Sequence, residues 1–324
     1  VAQDYEESYR WLAKAAAQEH VSSQVALGNL YFQGLGIPEP DHKKALYWYH
    51  QAADQGDLQV KQILFEIYAF SDKVSRDTEK AVSLLKRSAE GGFAKSQFML
   101  GWEYFFGERV DQDHAEGVRW YRKAAKQDHA EAQYELHLAY YFGEGVEPNQ
   151  EKDLYWLRRS AENGFAQAQN ELGLEYYEGD RLEQDYDKSL KWYRKSAEQE
   201  NGDALYTLSV MYRLGLGVDE DPLKAYHWIT KAGATGHMIA QRNLGNLYRN
   251  GDLEQEQNFT EAAHWYRLAA DQGDPKSQFR LGRLYLSGSG VEQDSPEGMR
   301  LIRKSAAENH EEAQQFLRNL SLTP

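Results

Sequence analysis

Four of the ten histidines, one Ser-x-x-Lys tetrapeptide and a few carboxylates beside aromatic rings are the residues of this chain that could do chemistry. His20, His129, His237 and His310 could ligate a metal or carry a proton. Ser83 to Lys86, SLLK, has the spacing of a serine nucleophile with a lysine base. Glu103, Glu175 and Glu178 stand among aromatic residues, and paired carboxylates beside rings suit glycoside chemistry. The stretch LGWEYFFGERV, residues 100–110, packs a Trp, a Tyr and two Phe into five positions of a polar chain. Whether any of these is a site depends on the elements that position it.

Composition narrows the field. The chain has 324 residues, 41% of them hydrophobic, enough for a packed core. With 51 acidic against 37 basic residues the net charge is -14, which repels a phosphate backbone and argues against nucleic-acid binding. There is no cysteine, so disulfides, thiolate metal sites and thiol catalysis are excluded. No run approaches the roughly 18 apolar residues of a membrane span. The chain begins at Val1 with no signal-like segment, and its compartment stays open.

The ordering principle is a repeat. Leu27, Leu64, Leu100, Leu136, Leu172, Leu208, Leu244 and Leu281 follow one another at spacings of 36 or 37. Four residues after each stands a tyrosine, from Tyr31 to Tyr285, so anchor and tyrosine share a helical face. Seven residues after the anchor comes a glycine, with Ser71 the exception, and a left-handed glycine is what ends a helix. A Gly- and Pro-punctuated connector leads to a second helix marked by Trp11, Trp48, Trp120, Trp156, Trp192, Trp228 and Trp265, with Leu84 and Leu301 in the same column. Such short helices are marginal alone, so stability must come from stacking hairpin on hairpin. The expectation is an all-α, α/α superhelical solenoid: a half-repeat over 1–20, eight 36-residue repeats over 22–311 and a partial repeat over 312–324, one continuous domain over 1–324.

The segments LGNLYFQGLGI with ALYWYHQAADQG, and HLAYYFGEGVEP with YWLRRSAENG, resemble the Sel-one-like repeat family, relatives of the tetratricopeptide repeats. The resemblance covers essentially the whole chain. It implies a right-handed superhelical interaction scaffold, common in bacterial envelope, secretion or host-contact roles and in eukaryotic quality control, without naming a partner. Several copies depart from the pattern: Phe65, His137 and Ser209 replace the glycine after the anchor, and Asp153 stands where other second helices carry a small residue.

The repeat absorbs most of the chemistry. The four histidines share one column, at the turn between hairpins, with Asp57, Phe93, Phe165, Asn201 and Asp274, which reads as a polar turn position and not a metal site. Some members of the resembled family are credited with β-lactamase or penicillin-binding activity, but SLLK lacks the KTG partner, and Lys86 shares a second-helix surface column with Lys123 and Lys195. No cofactor motif is present, so the chain is expected to be neither an enzyme nor a cofactor binder.

What the repeat leaves unexplained lies on the first helices, two, five and six positions after the anchor. The terminal copies are polar or mixed there, whereas copies two to five carry aromatics. The candidate partner-binding residues are therefore Phe70, Trp102, Glu103, Phe105, Phe106, Leu138, Tyr141, Phe142, Tyr177 and Glu178. Position five could instead pack against the next hairpin. The expected function is a protein-protein interaction scaffold holding a protein or peptide on its concave face, with no homo-oligomer predicted. The alternative is a carbohydrate-binding or cell-envelope protein or a hydrolase, recognisable by two carboxylates roughly 5 to 9 Å apart beside the rings.

Overall fold

The computed structural model describes residues 5–321, and these contain eighteen α-helices and no strand. The outer ends of the expected terminal half-repeats, 1–4 and 322–324, lie outside the described residues. The chain divides into two compact units, meeting in sequence at Asn163 and Gly164. The first holds the lone α1 (Tyr5–Ala16) and four hairpins. Their first helices are α2 (Val21–Gln33), α4 (Leu58–Phe70), α6 (Ala94–Phe106) and α8 (Ala130–Phe142). Their second helices are α3 (His42–Asp54), α5 (Thr78–Glu90), α7 (His114–Ala125) and α9 (Gln150–Glu162). The second unit repeats the plan, with first helices α10 (Ala166–Glu178), α12 (Gly202–Leu214), α14 (Met238–Asn250) and α16 (Pro275–Ser287). These pair with α11 (Tyr186–Ala197), α13 (Pro222–Ala234), α15 (Phe259–Asp271) and α17 (Ser295–Ala307), and α18 (Glu311–Ser321) closes the unit.

Each first helix ends as its sequence requires. Gly107, for instance, sits at φ 69° and donates its N–H to the Glu103 carbonyl, a conformation that costs an L side chain about 1–2 kcal/mol. Where Ser71 stands instead, the chain leaves α4 in an extended conformation and needs no left-handed residue. The turn histidines His20, His129 and His237 are N-caps: each ring accepts from the backbone N–H three residues on, the task that Asp57, Asn201 and Asp274 perform elsewhere.

All eight anchor leucines are buried, each contributing roughly 1.5–3 kcal/mol. The tryptophans that mark the second helices are not their core column. Among the tryptophans of that column only Trp120 is buried; Trp11 is exposed and the others are half-buried, several under a lysine ammonium such as Lys195 over Trp192. The core position is the next residue: Tyr49, Leu85, Tyr121, Leu157, Tyr193, Ile229, Tyr266 and Ile302 are all buried.

That column explains the copies that depart from the glycine pattern. A Cβ on Gly101 would stand 2.6 Å from the Tyr121 ring, and on Gly245 2.4 Å from Tyr266, so the glycine makes room for the ring. Where the glycine becomes Phe65, His137 or Ser209, the partner shrinks to Leu85, Leu157 or Ile229. His137 and Asp153, two departures in sequence, are one feature in space: Nδ1 and Oδ1 are 3.3 Å apart with both side chains buried.

Hairpins are further joined through buried glutamines. The Gln97 amide donates to the Ala89 carbonyl of the preceding hairpin, and the Gln127 amide to Gln97 Oε1. Gln24 and Gln55 repeat the arrangement.

Candidate functional site

The first helices of the first unit carry the aromatic surface. Trp102 and Phe106, four apart on α6, are 37% and 46% exposed with ring centroids 4.1 Å apart. Phe142, 64% exposed, meets the exposed Tyr141 edge-to-face at 4.9 Å. Phe70 is exposed at the end of α4, its edge against Phe65 at 5.8 Å and the Arg109 guanidinium 4.4 Å over its face. Leu138 is half-buried.

Two candidates prove to be interior. Glu103 is only 2% exposed and forms an ion pair with Arg109 at 2.6 Å, so its carboxylate cannot face a partner. Burial pushes its pKa up, and Arg109 works against that rise. Glu175 is likewise buried and paired with Arg181. Both arginines stand nine residues after the anchor, where four copies carry glycine. The joint appearance of Glu at position three and Arg at position nine was the signal, visible in the sequence, that these acids are structural. Phe105, 8% exposed, stacks on His114 at 4.5 Å and lies 5.9 Å from Tyr121. Position five is thus a packing position in this copy, as it is for Phe32 on His42. In the second unit Tyr177 is half-buried against Tyr186, ring centroids 5.6 Å apart, and Glu178 is exposed.

One buried group was missed. In the first copy the Tyr49 hydroxyl donates to Asn29 Oδ1 at 2.7 Å, and in the seventh Tyr266 donates to Asn246 Oδ1 at 2.8 Å. Asn29 and Asn246 lie two residues after their anchors, where the third copy has Trp102. The equivalent Tyr121 hydroxyl is buried with no hydrogen-bond partner among the described residues, and burial pushes its pKa far up. Across from it on α8 is Glu135, half-buried, its pKa pushed up to about 7 by desolvation. Ser83 is exposed on α5 and Lys86 lies 5.7 Å over the Tyr104 ring, a surface lysine.

The Sel1 repeat profile matches nine segments: 1–20, 21–57, 64–93, 94–129, 130–165, 166–201, 202–237, 239–274 and 275–310. The chain belongs to the Sel1 repeat family. The match in the second copy begins only at Leu64, in the copy whose glycines are replaced. No curated protein matches the chain. Among solved structures it is similar to c5321, a protective antigen of uropathogenic Escherichia coli strains with the same repeat fold. Identity there is 31%, TM-score 0.82, over 96% of this chain and 67% of that one. It is also similar to a Sel1 repeat protein of Oxalobacter formigenes, 30% identical with TM-score 0.70, over 96% of this chain and 89% of the other. Sel1 repeat proteins are generally protein-interaction scaffolds, and the fold is typically non-enzymatic. No described helix is long and apolar enough to cross a membrane.

Proposed function

We propose that this Sel1 repeat protein is a non-catalytic scaffold that holds a peptide or protein segment on the concave face formed by the first helices of its first unit. The centre of that face is Trp102, Phe106, Tyr141 and Phe142, with Phe70 and Leu138 beside them. Glu178 and the outer edge of Tyr177 offer equivalent positions in the second unit. The observation that carries the reading is Trp102. It stands where asparagine satisfies the buried tyrosine hydroxyl in two other copies, and it leaves that hydroxyl unpaired. A buried unsatisfied hydroxyl costs about 1–3 kcal/mol, a loss that a half-exposed indole packed against Phe106 explains if the rings serve a partner. Rigid aromatic anchors supply much contact area at low entropic cost.

The test is capture from a lysate of the native organism by wild type and by the triple variant Trp102→Ala, Phe106→Ala, Phe142→Ala. The variant should lose a specific partner while circular dichroism and thermal unfolding stay close to wild type. A partner held equally by both refutes the assignment of this face.

A further inference from the structure

In the second unit α12 and α14, with Ile229 of α13 and the loop after α14, line an open cavity of about 240 Å³ that includes Val210, Arg213, Asn243, Asn246 and Asn250. Measured from their anchors, Leu208 and Leu244, these are positions two and five of one copy and one before, two after and six after in the next. The same positions around Leu100 and Leu136 are Trp102, Phe105, Glu135, Leu138 and Phe142. Repeat equivalence therefore places Glu135 in one notch with the exposed Trp102 and Phe142, with Tyr121 beneath: its ring abuts Gly101 and its hydroxyl feels the Glu135 charge.

Several features of this notch point to one kind of guest. Glu135 is a desolvated carboxylate, and four basic groups of the surrounding elements are engaged elsewhere. Arg109 pairs with Glu103, Lys95 with Glu66 at 3.1 Å, Arg122 donates to the Tyr140 hydroxyl, and Lys123 lies 3.3 Å over Trp120. The Tyr121 hydroxyl from α7 faces Glu135, and one turn back on α8 Glu131 is paired with His129, whose ring caps that helix. The walls are aromatic, and ring faces attract cations once water is displaced. The chain as a whole carries a charge of -14, which draws basic segments toward it.

We infer that this notch receives a lysine or arginine side chain of a basic partner segment, its charge set against the Glu135 carboxylate and its stem between the rings of Trp102 and Phe142. The inference rests on the reading of this face as the binding face and adds the chemistry of the guest. An aliphatic side chain would leave the carboxylate unpaired in an apolar setting, whereas a cation supplies the missing charge and hydrogen-bond donors.

The experiment pans a random dodecapeptide phage library against the full chain and measures fluorescein-labelled selected peptides by fluorescence anisotropy. Selected sequences should be enriched in Lys or Arg next to apolar residues. Glu135→Gln should weaken a lysine-bearing peptide roughly tenfold. Replacing that lysine by norleucine should weaken binding to wild type by a similar factor and have little further effect on Glu135→Gln. Selected peptides without basic enrichment, or equal affinity for wild type and Glu135→Gln, overturn the cation site. In that case loss of binding in the Trp102, Phe106, Phe142 triple alanine variant still upholds the face. Undiminished binding to the triple variant overturns the face itself.

Discussion

Tyrosine to phenylalanine, made at two equivalent positions of the first unit, should destabilise at one and not at the other. At Tyr49 the substitution removes a 2.7 Å hydrogen bond to Asn29, whose exposed amide then turns to water. The net loss should be about 1 kcal/mol, or roughly 3 °C in Tm for a unit of this size. At Tyr121 the same change removes a hydroxyl that is buried and unpaired, so Tyr121→Phe should be neutral or stabilising by up to about 2 kcal/mol. The decisive measurement is a double-mutant cycle with Trp102→Asn, read by urea unfolding followed by circular dichroism. Trp102→Asn alone forfeits indole packing, and its net sign is of no consequence, because the cycle subtracts it. An asparagine at that position recreates the arrangement of the first copy. In the Trp102→Asn background, Tyr121→Phe should therefore become destabilising, with a coupling of about 1 kcal/mol. If Tyr121→Phe costs wild type as much as Tyr49→Phe does, the hydroxyl has a partner. Trp102 then displaces nothing, and the argument that it is kept for binding fails.

Two further outcomes follow from the charged groups. Arg109→Ala strands the buried Glu103 carboxylate and should cost about 3–5 kcal/mol, whereas Glu103→Leu with Arg109→Gly, the residues of the first copy, should recover most of it in the same unfolding assay. Glu135, raised from 4.5 to about 7, binds its proton more tightly folded than unfolded. Its stabilising effect should be fully present below about pH 4.5 and lost as pH rises through about 7, by at most about 3 kcal/mol. Glu135→Gln should accordingly raise Tm at pH 8 and leave it nearly unchanged at pH 4.5; an equal shift at both would show that Glu135 is not desolvated.

Periodicity alone set out most of this molecule. The Leu, Tyr and Gly columns mark where each first helix packs and ends, because a helix buried on one stripe must repeat its apolar residues with the helical period and a left-handed cap admits little but glycine. The same columns removed the turn histidines and the Ser-x-x-Lys tetrapeptide from consideration as sites. The outward position of Trp102, Phe106 and Phe142 was legible too, since their columns tolerate Asn, Gln and Ser. Relations across the hairpin were not legible to that reading. The second-helix marker fell on the tryptophan when the core residue is its neighbour, because both columns are hydrophobic and only packing tells which faces the gap left by glycine. Glu103 and Phe105 looked like groove residues because a helix face is read one residue at a time, while an ion pair to a loop arginine or a ring stacked on His114 is made by residues further along the chain.

The sequence by itself determined the all-α hairpin repeat and the uneven distribution of aromatics along it, since both are properties of spacing and residue type. Only the tertiary structure decided that the Tyr121 hydroxyl goes unpaired beneath Trp102 and that Glu135 is desolvated on the neighbouring helix. Burial and hydrogen bonding belong to groups brought together from different copies, and no column of a single helix contains them.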